Sequence, residues 1–280
     1  MHTIQELTDI ASQVRRDIIR MVTSAKSGHP GGSLSITDVM TALYFDVMEH
    51  DPKTWTRSSE GQDAFIISAG HLAPVYYSVL ARTGYFPVSE LATLRQFGSR
   101  LQGHPSIEHG LPGIVQTSGS LGQGLSCAAG IALAKKMDGD GKKVYCLCGD
   151  GETEEGQIWE AAMFASHHGI GNLIAFTDVN GQQIDGPTSS VSDLSNLDLK
   201  WKAFGWNVIE ADGHDFESIL AAFAQAKAID NGKPTMILFQ TEMGHGVDFM
   251  AGTCQWHGKA PSEEQKEVAL AQLKETLGDY

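Results

Sequence analysis

The sequence predicts an α/β fold, a doubly wound and mostly parallel sheet flanked by helices. Three observations carry this expectation. Short apolar runs such as "DAFIIS", "KKVYCLCGD" and "NLIAFTDVN" alternate with segments of helical spacing. One stretch, from Asp150 to Asn180, has the length of a single βαβ unit, roughly 30 residues. No repeat, low-complexity tract or linker interrupts the 280 residues, which suffice for a substantial core. Residues 1–280 are therefore read as a single domain.

The elements follow in order. In residues 5–22, Leu7, Ile10, Ala11, Val14, Ile18 and Val22 form one apolar stripe of a helix. "SAKSGHPGGSLS" reads as a glycine-rich loop, and "SITD" (Ser35 to Asp38) as a capping box opening the helix "VMTALYFDVM". The strand "DAFIIS" precedes the helix "LAPVYYSVLARTG". A loop-rich stretch, 96–120, leads to the small-residue helix "LSCAAGIALAKKM", which must pack closely on something. After the strand "KKVYCLCGD" comes "GQIWEAAMFASHHGI", a helix with Ile158, Ala161, Ala162 and Ala165 facing inward. "NLIAFTDVN" is the next strand. "NVIEADG" and "TMILFQTEMG" are two more, separated by a helix over 215–229. "APSEEQKEVALAQLKETL" is a terminal helix.

Composition excludes some partners. A net charge of −14 leaves no footprint for a phosphate backbone, so nucleic acid is not an expected partner. No apolar run reaches the roughly 18 residues needed to span a membrane. The N-terminus carries early acids and no apolar signal core. Cys127, Cys146, Cys148 and Cys254 form no CxxC pair, and Cys146 and Cys148 alternate on an apolar strand. Free thiols of this kind suit a reducing, cytoplasmic setting.

In "CLCGDGETEEGQ", Asp150 stands between Gly149 and Gly151 at the end of a buried strand. Asn180 ends the next one. Both emerge at the carboxyl edge of adjacent parallel strands, where open α/β sheets bind ligands. Both offer oxygen to a hard cation such as Mg²⁺, and the flanking glycines let backbone approach a bulky anion. The pair reads as a metal site, and the metal as a clamp for a diphosphate. An Asp-Gly dipeptide alone is equally a turn. The carboxamide at one-βαβ spacing, followed by "GQQIDG", favours the site.

Five of the eleven histidines follow a glycine: His29, His71, His104, His214 and His245. A histidine in such a loop is ordinarily a surface residue. No HxxxH or Cys/His cluster supports zinc.

"GDGETEEG" followed by "DVNGQQIDG" resembles the thiamin diphosphate motif of transketolases. "KSGHPGGSLS", "ISAGHLAPVYYSVLARTGY", "QGHPSIEHGLPGIVQTSGSLGQGLSCAAG" and "QWHGKAP" resemble that family's other segments, in order, over nearly the whole chain. The resemblance implies that Asp150, Asn180 and the main-chain carbonyl of Gln182 bind the metal. Mg²⁺ is expected, and Ca²⁺ suits the same oxygens. It implies that His71 and His257 contact the diphosphate, with Gly149 and Gly151 beside it, and that the loop Gly119, Ser120, Leu121 approaches the thiazolium or pyrimidine ring through backbone. Glu155 matches an acid of a subunit-interface network. His29, His104 and His257 would handle protons at the sugar, since imidazole titrates near neutrality. Lys259 is a further polar candidate. His2, His50, His167 and His168 are expected to be structural or solvated, while His214 and His245 stay unassigned. Ser33 and Ser120 replace the family's prolines, a departure that would loosen the loops or mark a different substrate.

Transketolases of the usual kind are more than twice this long. The resemblance covers only the diphosphate-binding domain. The pyrimidine-binding domain, with the glutamate that activates the cofactor and most of the substrate arginines, has no counterpart here. Only seven arginines occur, none matching a substrate arginine. The expectation is the N-terminal subunit of a split transketolase, completed by a C-terminal partner chain in an α2β2 heterotetramer and acting on sugar phosphates. A truncated transketolase would leave the same segment. A deoxyxylulose phosphate synthase-like or 2-oxo acid dehydrogenase E1-like subunit, and a non-catalytic relative, are the alternatives.

Overall fold

Helix α1 (Ile4–Ala25) is followed by two short helices, α2 (Pro30–Ser35) and α3 (Thr37–Ala42), then by strand β1 (Ala64–Ile67) and α4 (Ala73–Arg82). Next come α5 (Gln123–Asp138), β2 (Val144–Gly149), α6 (Gly156–His167) and β3 (Leu173–Val179). A two-residue ladder, β4 (Gln182–Gln183) with β5 (Gly186–Pro187), leads to α7 (Thr188–Val191) and α8 (Leu197–Ala203). Strand β6 (Asn207–Asp212), α9 (Phe216–Ala228), β7 (Thr235–Gln240) and α10 (Glu263–Gln272) complete the chain. This computed structural model describes all residues, 1–280.

The main sheet has the order β1-β2-β3-β7-β6, and every neighbouring pair is parallel. The chain winds from β1 to β3, then enters at the far edge and returns by β7. Side chains alternate between the two faces, as a period of two requires. Phe65, Ile67, Tyr145, Leu147, Ile174 and Phe176 face a core that includes α1, α3, α4 and α9. Ala64, Ile66, Cys146, Cys148, Ala175 and Leu238 face a smaller core beneath α5, α6 and α8. On that side Ala128, Ala129 and Ala132 of α5 bring its backbone close to the sheet, as the small-residue pattern predicts. The doubly wound expectation holds, and Ile158, Ala161, Ala162 and Ala165 face inward.

The structure corrects four local expectations. "SITD" is not a capping box: α3 has no side-chain cap. The turn before it is already helical, so Gly32 and Ile36 carbonyls accept the amides of Ile36 and Met40 at 3.1 and 3.0 Å. That frees the Ser35 hydroxyl to bond Asp178 and the Asp38 carboxylate to take both ends of Arg15. Half of the glycine-rich loop is the buried helix α2, with Pro30 at its first position, where its missing N–H costs nothing. The terminal helix stops at Gln272, because residues beyond it lie along α1. There Arg16 donates to the Leu270 and Leu273 carbonyls, and Gln13 accepts from the Thr276 and Leu277 amides. Helices α7 and α8 form in a stretch with no clear apolar period, where the sequence pattern predicts no element.

Helix α1 carries unusual charge for a core helix. Asp17 is fully buried and accepts from Ser78 and Arg82, at 2.7 and 2.6 Å. Burial pushes the Asp38 carboxyl up, but Arg15 and the adjacent His214 ring hold it down to about 2. A carboxyl with a depressed folded pKa stabilises the fold above its unfolded value, about 3.9, and loses that contribution as pH falls. The urea midpoint should therefore drop between about pH 4 and pH 2. Asp38→Asn, which strands Arg15, should cost about 3–5 kcal/mol at neutral pH and flatten that acid dependence. A neutral-pH midpoint equal to wild type would show that the pair carries no stability.

Candidate active site

The register of the sheet builds the site. Gly149 pairs with Asp178, so Asp150 leaves β2 beside the end of β3 and the Asn180 that follows it. Asp150 is buried, and its two oxygens accept the Gly151 and Gly181 amides at 2.8 and 2.7 Å. Asp178 is also buried and accepts from Ser35 (2.7 Å), Thr241 (2.5 Å) and the Asn180 amide (2.8 Å). That last bond fixes which way the Asn180 amide turns, and its oxygen accepts the Gln182 N–H at 3.0 Å. Burial, then the charge of Asp178, push Asp150 up to about 7 despite the two amide bonds.

Asp150 and Asn180 open onto a cavity of about 570 Å³. Its wall carries five carboxylates, from Asp150, Glu152, Glu154, Glu155 and Asp178, and neither lysine nor arginine. A diphosphate would be repelled by such a wall. A divalent cation on the Asp150 and Asn180 oxygens reverses the local sign. The donors are all oxygen, with no thiolate or imidazole beside them, so the residues fit a hard cation.

Opposite the carboxylates, four imidazoles converge. The His29 ring lies 5.4 Å from His71, 6.1 Å from His104 and 5.7 Å from His257, and His71 lies 5.0 Å from His257. His29 stands just before Pro30 at the start of α2, and His71 lies in the turn between β1 and α4. Burial, with the other rings of the cluster, pushes His71 down to about 3. Burial, then His257, Arg95 and His104, push His29 down to about 4. His104 and His257 are lowered too, by burial first. All four rings are neutral near pH 7. The Nδ1 atoms of His29 and His257 are buried without a hydrogen-bond partner. They await a group that the cavity would hold.

Comparison with known proteins places the chain. The family described as "Transketolase, thiamine diphosphate binding domain" matches residues 7–279. The chain belongs to the transketolase family. It is 43% identical over 271 residues to the 6-deoxy-6-sulfo-D-fructose transketolase subunit SqwG of Clostridium sp. (strain MSTE9), covering 96% of each. It is 41% identical to an apulose-4-phosphate transketolase subunit of Phocaeicola vulgatus, over 94% of this chain and 92% of that one. Human transketolase is 37% identical over 96% of this chain, which spans only 42% of it. The Leishmania mexicana transketolase structure superposes over the whole chain with a TM-score of 0.88 at 32% identity. This chain spans 43% of that structure. The chain thus matches the two subunits almost end to end and spans less than half of the long transketolases.

Most residues singled out in the sequence meet at this transketolase cavity. His29, His71, Gly119, Leu121, Gly149, Asp150, Gly151, Glu155, Asn180, Gln182 and His257 lie on its wall. His104 reaches it through His29, its ring packed on Gly119, where a Cβ would sit 3.4 Å from the imidazole. Gly119 also has φ 146°, which a side chain would resist. Ser120 is exposed and off the wall, and so is Lys259, whose ammonium lies over Trp256 at 5.1 Å. Ser33 is fully buried inside α2 and also off the wall. His214 and His245 belong elsewhere: their rings stack at 3.6 Å, and His214 bridges Asp38 and the Glu242 amide at 3.0 and 2.9 Å. His50 bonds Tyr85 and the Tyr44 carbonyl, a structural role.

Three acids of the site, Glu152, Glu154 and Asp178, are not singled out by the sequence. Asp178 ends a strand among apolar residues and opens the segment "DVNGQQIDG", but its partners are not visible locally. Glu152 is buried and ties three segments, accepting from the Ser68 hydroxyl, the Gly122 amide (2.8 Å) and the Gly149 amide (2.9 Å). Ser68 in turn accepts the Gly124 amide at 3.0 Å. A Cβ on Gly124 would meet the Ser68 Cα at 2.4 Å, so the start of α5 is pressed onto the end of β1. Glu152→Gln turns an acceptor of two backbone amides into a group with one acceptor oxygen. It should destabilise the chain by about 2–3 kcal/mol, since a buried donor is left unpaired. Calorimetric melting would show this, and an unchanged transition would mean that Glu152 does not hold the loop.

Proposed function

We propose that this chain is the N-terminal subunit of a split transketolase. With a C-terminal partner it would transfer a two-carbon ketol unit from a ketose to an aldose. The observation that supports this reading best is the cavity wall, which carries paired metal-type oxygens and three imidazoles, His29, His71 and His257, with His104 packed behind His29. Asp150, Asn180 and the Gln182 carbonyl would hold Mg²⁺, or Ca²⁺ with the same donors, and through it the diphosphate of thiamin diphosphate. The cofactor, when bound, supplies the electron sink that lets a carbon–carbon bond beside a carbonyl break.

The chain's own residues then have defined work. His71 and His257, as neutral rings, would donate N–H bonds to diphosphate oxygens. His29 and His104, with His257, would take and return protons at sugar hydroxyls; a neutral ring is the form that accepts one. Gly119, Leu121 and the neighbouring Ser120 loop would approach the cofactor rings through backbone. Glu155, exposed at the cavity rim, would meet the partner.

The two same-length relatives are named for ketoses that carry a sulfonate or a phosphate. We take an anionic ketose as the substrate class here. With no cation on the wall of this chain, the partner would supply the groups that hold that anion. An active site shared between chains favours an α2β2 assembly. The four free cysteines, two of them buried on β2, support a cytoplasmic enzyme. No helix is long and apolar enough to cross a membrane.

Calorimetric titration of thiamin diphosphate with Mg²⁺ tests this reading. Binding should be weak or absent to the chain alone, and tight, with ketol transfer, once a C-terminal transketolase partner chain is added. Asp150→Ala should weaken the metal-dependent binding at least about 100-fold, that is by roughly 2.7 kcal/mol or more. Retained tight binding by that variant would sink the metal assignment. Full turnover by the chain alone would sink the split.

A further inference from the structure

His29 and His104 come from segments far apart in sequence, and something must set their separation. Arg95 touches both segments. Its Nη1 donates to the Ser27 hydroxyl at 2.9 Å, two residues before His29. Its Nη2 donates to the Gly103 carbonyl at 3.2 Å, one residue before His104. Its backbone N–H donates to the Leu101 carbonyl at 2.8 Å, and the Tyr77 hydroxyl donates to the Gln102 carbonyl at 2.8 Å. Three successive carbonyls are thus tied down just ahead of His104. The guanidinium is half-buried and lies flat on Gly103, where a Cβ would sit 2.8 Å from its central carbon. Arg95 holds this place at φ 58°, a left-handed conformation that a long side chain rarely adopts and that surrounding structure must impose.

We propose that Arg95 is a positioning residue whose planar fork bridges the segment entering His29 to the segment entering His104 and so fixes the two imidazoles relative to each other. The proposal rests on the transketolase reading of the site, in which those rings handle protons. A lysine cannot replace the fork, because one ammonium on a flexible stem does not reach two acceptors in a fixed plane. The guanidinium is also close enough for its charge to help lower both rings, together with His257 for His29. His71 and His257 complete the titratable groups facing the pair, and Arg95 is not among the groups that lower either of them.

The test uses Arg95→Lys and Arg95→Met in the complex with the partner chain, and in the chain alone with labelled histidine rings. Ketol transfer kcat should fall about 10- to 100-fold in both variants, the loss expected from a misplacement of about 1 Å. Affinity for Mg²⁺-thiamin diphosphate should stay within about twofold of wild type. By nuclear magnetic resonance the His29 and His104 midpoints should rise in Arg95→Met, while those of His71 and His257 stay. In Arg95→Lys the charge remains and the midpoints should move less, although kcat falls as far. Gly103→Ala, which pushes the guanidinium away without removing it, should reproduce the loss of kcat and serves if the Arg95 variants fold poorly. Wild-type turnover in Arg95→Lys, or in Gly103→Ala, would overturn the proposal. So would a loss of cofactor affinity equal to the loss of kcat, which would mark a general structural role. If wild type itself shows no ketol transfer, the ring midpoints still decide about Arg95, and the failure belongs to the activity reading.

Discussion

The site depends on one buried carboxylate that has no cation beside it. Asp178, at the end of β3, is satisfied only by hydroxyls and an amide, from Ser35, Thr241 and Asn180. Each of those bonds reaches a different part of the cavity. Ser35 ends the helix that begins beside His29. Thr241 follows β7 and opens the segment whose Gly244 amide bonds the Gly31 carbonyl at 2.9 Å. Asn180 is the proposed metal ligand. One side chain therefore sets the imidazole side of the cavity relative to its oxygen side. Its charge also raises Asp150, which means that the fold holds two acids close together where water cannot screen them. Such an arrangement costs stability in the free chain and would be relieved by a divalent cation on the Asp150 oxygens.

The imidazole side follows the same logic with the opposite sign. Four rings, three of them within about 6 Å of His29, cannot all be charged, and burial drives them neutral. Neutral rings can donate at one nitrogen and accept at the other. The unpartnered Nδ1 atoms of His29 and His257 are the positions where that capacity is unused. A lysine in their place would bind a diphosphate well but could not accept a proton from a hydroxyl at neutral pH. The choice of histidine is thus tied to the chemistry, and its neutrality to the depth of the cavity.

What the sequence disclosed and what it hid differ by the range of the interactions involved. Asp150 and Asn180 were legible because one βαβ unit has a fixed length and delivers both residues to one edge. The strands were legible because parallel strands buried on both faces read as continuous apolar runs. The four cavity histidines were picked out by motif resemblance, not by spacing. Glu152, Asp178 and Arg95 were hidden. Each has partners 30 or more residues away: Ser68 and Gly122 for Glu152, Ser35 and Thr241 for Asp178, Ser27 for Arg95. The "SITD" segment failed for the same reason: a local capping pattern gave way to Asp178 and Arg15, both distant in the chain. Ser120 was drawn in by the resemblance of its loop to the family's, yet Gly119 meets the cavity while the serine is exposed and off its wall.

The charge of the wall also bears on the proposed division of the site between two chains. Three polar groups of this half are satisfied within the chain: Glu152 by two backbone amides and the Ser68 hydroxyl, Asp178 by two hydroxyls and the Asn180 amide, Arg95 by the Ser27 hydroxyl and the Gly103 carbonyl. None of them needs a second polypeptide to be satisfied, so the half-site can hold its shape before assembly. On the proposed reading a partner surface would add a cation for the far end of an anionic ketose and an acid for the pyrimidine ring. Assembly would then be driven partly by electrostatics, because five carboxylates on one wall create a field that a basic partner face complements. Such a division keeps metal and diphosphate recognition in one chain. It leaves substrate choice to the other, where it can change without disturbing the buried acids on which this fold relies.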